Sequence, residues 1–200
     1  MIKTTAMLRD ELKQYANPDS KIKRMVQHEL LFPVTRGIYE TQRNIPGYYL
    51  AGVIYGPSYL SFEFAMSFYG LIPEAVYTFT SATFQKKKKK MFHNVFGVYT
   101  YRDVPGTLYS YGVELKQENG YSYWIASAEK ALCDMLYQIS PAGNLRQFKE
   151  LLFQDLRIEE SVFHSLDFGK LMELSQMYQT KNHKLLLSYL KRERKNGSYH

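Results

Sequence analysis

Tyr109-Ser110-Tyr111-Gly112-Val113-Glu114-Leu115-Lys116-Gln117-Glu118-Asn119-Gly120-Tyr121-Ser122-Tyr123-Trp124-Ile125-Ala126-Ser127-Ala128-Glu129-Lys130-Ala131-Leu132-Cys133-Asp134-Met135-Leu136 is the stretch that decides the fold. Tyr109, Tyr111, Val113 and Leu115 alternate, Asn119-Gly120 offers the two left-handed positions of a type I′ turn, and Tyr121, Tyr123 and Ile125 alternate again. This spacing predicts a β-hairpin with Tyr111, Val113 and Leu115 facing the core, and Glu114 and Lys116 on the solvated side. After Ser127 the period lengthens from two residues to about 3.6. Ala131, Leu132, Met135 and Leu136 then share one face of a helix from Ala128 to Ile139. Sheet giving way to helix within thirty residues predicts an α+β fold.

Downstream, Ser140-Pro141-Ala142-Gly143 breaks this helix. Asn144 caps another with Leu145, Phe148, Leu151 and Leu152, and residues 159–166, 169–179 and 183–195 continue helical. The C-terminal third is therefore expected to be all helical. Upstream, Val76 to Thr80 and Val95 to Tyr101 are β-branched and aromatic runs that predict strands, with Lys86 to Lys90 near the turn between them. Ser58 and Ser61 are candidate caps for a helix through Phe62, Phe64, Ala65, Phe68 and Tyr69, which Gly70 ends. Asn44, Pro46, Gly47, Gly52, Gly56 and Pro57 punctuate residues 42–57 as a linker.

The first forty residues predict helix, helix, hairpin. Met7, Leu8, Leu12 and Tyr15 fall on one helical face. In Asn17-Pro18-Asp19 the Asn caps, the Pro fits the first helical position and the Asp suits the positive end of the macrodipole. The helix so opened buries Ile22, Met25 and Val26 and presents Lys21, Lys23, Arg24, Gln27 and His28. Leu30 to Val34 and Gly37 to Thr41 predict short strands around Thr35-Arg36-Gly37. A capped basic helix followed by a small hairpin is how a winged helix-turn-helix ends. The expected organisation is a small winged-helix-like module over residues 1–45, then a mixed sheet-and-helix domain over residues 46–200.

Composition bounds the function. The chain has 200 residues, 45% of them hydrophobic, and a net charge of +7. Thirteen of its 18 tyrosines lie between Tyr39 and Tyr123, which predicts a β-rich middle. Residues 44–180 carry twelve basic and thirteen acidic side chains, including the five lysines of the run, whereas residues 1–43 carry eight and five, and residues 181–200 six and one. A mildly acidic body with basic extremities favours a local anionic partner. One cysteine excludes an internal disulfide framework and a zinc site built on thiolates. Met1 to Leu12 has no apolar signal core, and no uncharged apolar stretch is long enough to cross a bilayer, so a soluble cytoplasmic protein with no membrane partner is expected.

Three blocks carry a family resemblance. The run Gly56-Pro57-Ser58-Tyr59-Leu60-Ser61-Phe62-Glu63-Phe64-Ala65-Met66-Ser67-Phe68-Tyr69-Gly70-Leu71-Ile72-Pro73-Glu74, then Thr80-Ser81-Ala82-Thr83, resembles the opening of the C-terminal domain of the AbiEi antitoxin family. Ile125 to Tyr137 resembles that family's second block, with Ala128 where Pro is common. Arg36-Gly37-Ile38-Tyr39 stands where the wing of the N-terminal domain would be. The resemblance implies the antitoxin of a bacterial abortive-infection toxin–antitoxin system, a viral-defence regulator usually classed as type IV. It implies a winged helix that binds the operator DNA of its own operon, and a nucleotidyltransferase-like toxin opposed without a stable complex. Such N-terminal domains commonly place three helices before the wing; this chain offers two.

The candidate DNA-binding residues are Lys21, Lys23, Arg24, Gln27, Arg36 and Arg43, which suit phosphate and base-edge contacts. The lysine run and Lys191-Arg192-Glu193-Arg194-Lys195 suit solvated charge or further phosphate contact. Lys130 and Asp134, at i and i+4, are expected to pair structurally beside Glu129. Two alternatives stay open. Asp103 with Glu114-Leu115-Lys116 has the residue types of a PD-(D/E)xK-like metal-dependent nuclease, or of its inactive relic, in which two carboxylates hold Mg²⁺. A protein-interaction module whose winged helix has lost DNA affinity is the other. His28, His93, His164, His183 and His200 are scattered, and Cys133 sits among apolar neighbours. No enzyme, catalytic residue, metal site or cofactor is expected.

Overall fold

The computed structural model describes residues 1–195, and His200 lies outside the described residues. The chain opens with β1 (Ile2–Thr4), α1 (Thr5–Glu11), α2 (Pro18–Gln27), β2 (Phe32–Thr35) and β3 (Ile38–Glu40). The three strands form an antiparallel sheet in the order β1-β3-β2. Thr4 Oγ1 accepts from the Met7 amide to cap α1, and Asn17 Oδ1 accepts from the Ser20 amide to cap α2, with Pro18 at its first position. Leu8, Ile22 and Leu31 form the small core beneath the two helices. The expected apolar face of the first helix shrinks to Leu8 with the partly buried Leu12: Met7 is exposed within α1, and α1 stops at Glu11, short of the exposed Tyr15.

Residues 42–57 are not a linker. Gly47–Leu50 form a 3₁₀ turn that leads into α3 (Ala51–Ile54), and Tyr49, Leu50, Ala51 and Ile54 are buried in the main core. Gly47 is selected by close packing: a Cβ there would sit 2.5 Å from the Phe96 carbonyl oxygen and against the Phe79 ring. Next come β4 (Tyr59–Leu60) and α4 (Phe62–Phe68). Gly70, at φ +71°, ends α4 as expected, with the Leu71 amide donating to Met66 O at 2.8 Å.

The strands β5 (Thr78–Thr83), β6 (Lys90–Asn94), β7 (Gly97–Asp103), β8 (Val113–Glu118) and β9 (Tyr121–Ala126) complete a six-stranded mixed sheet in the order β6-β7-β5-β4-β9-β8. The two strands expected here are three. Lys90 starts an edge strand, β6, and this makes β5 and β7 parallel neighbours. β4 pairs antiparallel with β5 and parallel with β9. The hairpin turns at Asn119 (φ 51°) and Gly120 (φ 81°), as its sequence predicts.

The facing of β8 is the expected one only in part: Val113 packs against the core and Glu114 is exposed, but Tyr111 and Leu115 are exposed as well. Leu115 lies opposite Trp124, and the two are 47% and 51% exposed. Glu114, Lys116 and Glu118 lie opposite Ile125, Tyr123 and Tyr121, with Glu114 exposed and Lys116 and Glu118 half-buried. The charges are tolerated there because tyrosines supply donors: Glu118 accepts from Tyr48 at 3.1 Å, Tyr49 at 3.2 Å and Tyr123 at 2.8 Å. The Tyr123 hydroxyl foremost, against partial burial, holds the Glu118 carboxyl below its ordinary range.

The chain then becomes helical: α5 (Ala128–Gln138), α6 (Leu145–Glu150) running into a π turn at Leu151–Asp155, α7 (Glu160–His164), α8 (Phe168–Tyr178) and α9 (Lys181–Lys195). Ser127 and Asn144 cap α5 and α6. Asn182 Nδ2 donates to Leu136 O at 3.1 Å, so the start of α9 covers the end of α5.

Candidate functional site

A groove of about 630 Å³ runs between α2 and the β2–β3 hairpin, lined by Lys23, Val26 and Gln27 on the helix and by Pro33, Thr35 and Arg36 on the hairpin. The cap at Asn17 fixes where α2 begins, and burial of Ile22 fixes its rotation, so Lys23 and Gln27, one turn apart, point along the groove. Both are exposed, as is Arg36 at the tip of the hairpin. Asp19 also lines the groove, and its carboxylate is engaged by Arg9, with Nε to Oδ1 at 2.8 Å and Nη2 to Oδ2 at 3.0 Å. That bidentate contact ties α1 to the start of α2. Its hydrogen bonding holds the Asp19 carboxyl below the ordinary range and raises Arg9.

Of the six residues singled out, the structure brings Lys23, Gln27 and Arg36 onto one groove. Arg24, one residue beyond Lys23, is exposed and turned about 100° further round the helix. Lys21 points the other way, with Nζ 5.0 Å from the centre of the Tyr15 ring. Arg43 belongs to the junction between the two sheets: Nη1 donates to Val95 O at 2.6 Å, and its guanidinium lies 5.9 Å from the Phe32 and Phe96 ring centres. Asn94 Nδ2 donates to Val34 O at 2.9 Å at the same junction. The basic module is thus seated on the edge strand β6, which Lys90 begins.

The nuclease constellation is not assembled. Asp103 ends β7, and Glu114 and Lys116 lie on β8, with β5, β4 and β9 between the two strands. Asp103 instead accepts from Thr83 Oγ1 and from the Lys87 amide, both at 2.7 Å, and anchors the base of the lysine loop. Among the described residues no three His, Cys, Asp or Glu side chains are grouped to hold a metal ion.

Sequence reasoning paired Lys130 with Asp134 but missed what surrounds them. Both side chains are 0% exposed, and Lys130 Nζ donates to Asp134 Oδ1 at 2.9 Å. Asp134 Oδ2 accepts from Ser61 Oγ at 2.7 Å and from Tyr59 OH at 2.9 Å, while Tyr178 OH bridges Lys130 Nζ and Asp134 Oδ1. Four elements meet on one carboxylate. Burial first, then the negative charge of Asp134, pushes the Tyr59 and Tyr178 hydroxyls far above their ordinary range, so both stay protonated and donate to the carboxylate, while the Tyr178 oxygen also accepts from Lys130 Nζ. Tyr178 stacks on His183 at 4.5 Å, and burial drives that imidazole down to about 4. Burial likewise pushes the Cys133 thiol up to about 12. This cluster is sealed from solvent, and its chemistry is cross-linking of the fold.

No family model and no curated protein matches the chain. Among solved structures, it is similar to the crystal structure of the RV2827C protein from Mycobacterium tuberculosis, at 12% identity with a TM-score of 0.60, over 95% of this chain and 72% of that one. At that identity the likeness is one of fold: a mixed sheet with a helical C-terminal part. No helix among the described residues is long and apolar enough to cross a membrane.

Proposed function

We propose that this chain is a DNA-binding regulator acting as the antitoxin of an abortive-infection toxin–antitoxin pair, with α2 and the β2–β3 hairpin working as a reduced winged helix. The groove that gathers Lys23, Gln27 and Arg36 carries the reading. A capped, exposed basic helix beside a hairpin with Arg at its tip supplies phosphate contacts on both sides of a duplex groove, and Gln27 supplies a bidentate base contact. Lys23, Arg24, Gln27 and Arg36 are the DNA residues of this proposal. Lys21 and Arg43 contribute charge from the flanks. The AbiEi resemblance supplies the rest: operator DNA of its own operon as ligand, a nucleotidyltransferase-like toxin as functional partner, a cytoplasmic setting and a non-enzymatic role.

The test is a mobility-shift titration of the full chain on its upstream DNA across a salt series. Lys23→Ala with Arg24→Ala weakens binding, and each lost phosphate contact flattens the salt slope by about one unit. Unchanged affinity and slope in the double variant remove α2 as the reader. In cells, the same variant loses repression while still protecting against the toxin, because protection is assigned to the sheet-and-helix body.

A further inference from the structure

We propose that the cleft between α3 and the β8–β9 hairpin is a binding site for an uncharged planar heterocycle of the nucleobase kind. The cleft is about 470 Å³, within the usual range for small-molecule sites. Its walls are aromatic. The Tyr59 ring is held by the hydroxyl's bond to Asp134, Tyr109 lies 5.1 Å from Tyr59 and 4.5 Å from Phe84, and Trp124 stands half exposed at the cleft. Tyr59, only 2% exposed, backs the cleft, and Tyr109 and Trp124 are the faces on which a flat ring stacks.

Two further features narrow the ligand. No acidic or basic side chain lines the cleft, so nothing there compensates a formal charge. The hydroxyls of Tyr109, Ser110 and Ser122 line it and make no hydrogen bond among the described residues. A plain hydrocarbon would leave those hydroxyls unanswered on being covered, whereas a heterocycle with donors and acceptors on its edge satisfies them. Stacking faces, free hydroxyls and no charge together describe a neutral base or nucleoside. The site is separate from the α2 groove, and it stands whether or not the chain binds DNA.

Trp124 is the one tryptophan of the chain and reports on the cleft directly. Gly52 provides the blocking variant: it lines the cleft and a Cβ there meets only Ser58 O, at 4.0 Å, so Gly52→Leu adds bulk to the cleft wall. The experiment titrates the full chain with adenosine and with uridine, following Trp124 emission and the heat of binding. One-to-one saturation by at least one of them, loss of that binding in Gly52→Leu with an unchanged melting curve, and about tenfold weakening in Trp124→Ala by calorimetry are the expected results. Adenosine monophosphate binds no tighter than adenosine. The proposal is overturned by absence of saturable binding for both nucleosides, by binding that survives Gly52→Leu, or by a monophosphate bound more than tenfold tighter. It is equally overturned by a dimer in sedimentation that Gly52→Leu dissociates, since a second copy would then be the occupant.

Discussion

Replacing Asp134 by Ala removes the acceptor on which Lys130, Tyr59, Ser61 and Tyr178 converge. The ammonium of Lys130 is then buried without a counter-charge, and Tyr59 and Ser61 lose the acceptors of their side-chain bonds. Breaking a buried ion pair by deleting one partner costs about 3–5 kcal/mol. With orphaned hydroxyls added, the upper half of that range is expected, which lowers the melting temperature by about 8–20 °C for a chain of this size. Lys130→Met is milder, at about 1–3 kcal/mol, because the carboxylate keeps three hydroxyl donors. Replacing both, Lys130→Met with Asp134→Leu, recovers part of the loss by removing both charges from the interior. Urea titrations at neutral pH, followed by Trp124 emission and far-ultraviolet dichroism, give the order. If Asp134→Ala does not fold, Asp134→Asn takes its place in the series. Asp134→Ala within about 1 kcal/mol of the parent chain, or Lys130→Met costing more than Asp134→Ala, refutes the account of this cluster.

Other outcomes follow from single contacts. His183 titrates near 4 in the folded chain against its ordinary 6.5. The unfolded state therefore takes up the proton first, and stability is full above about pH 6.5 and falls by up to about 3 kcal/mol as pH drops toward 4; His183→Gln flattens that limb of a pH–melting curve. Cys133, fully buried with its thiol raised to about 12, resists alkylation at pH 8 in the folded chain and reacts once urea unfolds it. Gly47→Ala drives a methyl onto the Phe96 carbonyl and destabilises by about 2–3 kcal/mol or more, whereas Gly70→Ala meets nothing within 4 Å and costs only its left-handed backbone, about 1 kcal/mol, in the same urea assay.

Sequence patterning reached the elements whose signals are local. The Asn119-Gly120 turn, the caps at Asn17, Ser127 and Asn144, and the helical third after Ser127 all rest on contacts within a few residues. What it missed depends on distant partners. Residues 42–57 look like a linker because Gly and Pro are dense there, but Gly47 is present so that Phe79 and Phe96 can approach. The exposure of Leu115 and the half-burial of Glu118 escape the pattern because hydropathy does not register the tyrosine hydroxyls that donate to Glu118. β6 was hidden by a lysine run, His93 and Asn94, residues that an edge strand tolerates. In the candidate site, Lys23, Gln27 and Arg36 were legible from the cap and the hairpin. The engagement of Arg43 at the junction was not legible because its partner, Val95, is 52 residues away.

Strand β4 is two residues long, yet it joins the β5–β6–β7 half of the sheet to the β8–β9 hairpin through Leu60, which pairs with Ser81 on one side and Ile125 on the other. Residues 59–61 therefore emerge from the ribosome long before the carboxylate that binds their side chains: Tyr59 and Ser61 await Asp134, which follows them by 75 and 73 residues. At bacterial and eukaryotic translation speeds of about 5–20 residues per second, that wait is roughly 4–15 s. For that interval the hydroxyls of Tyr59 and Ser61 lack their acceptor, and the seam of the central sheet gains its side-chain fastening only with the α5 segment that carries the carboxylate.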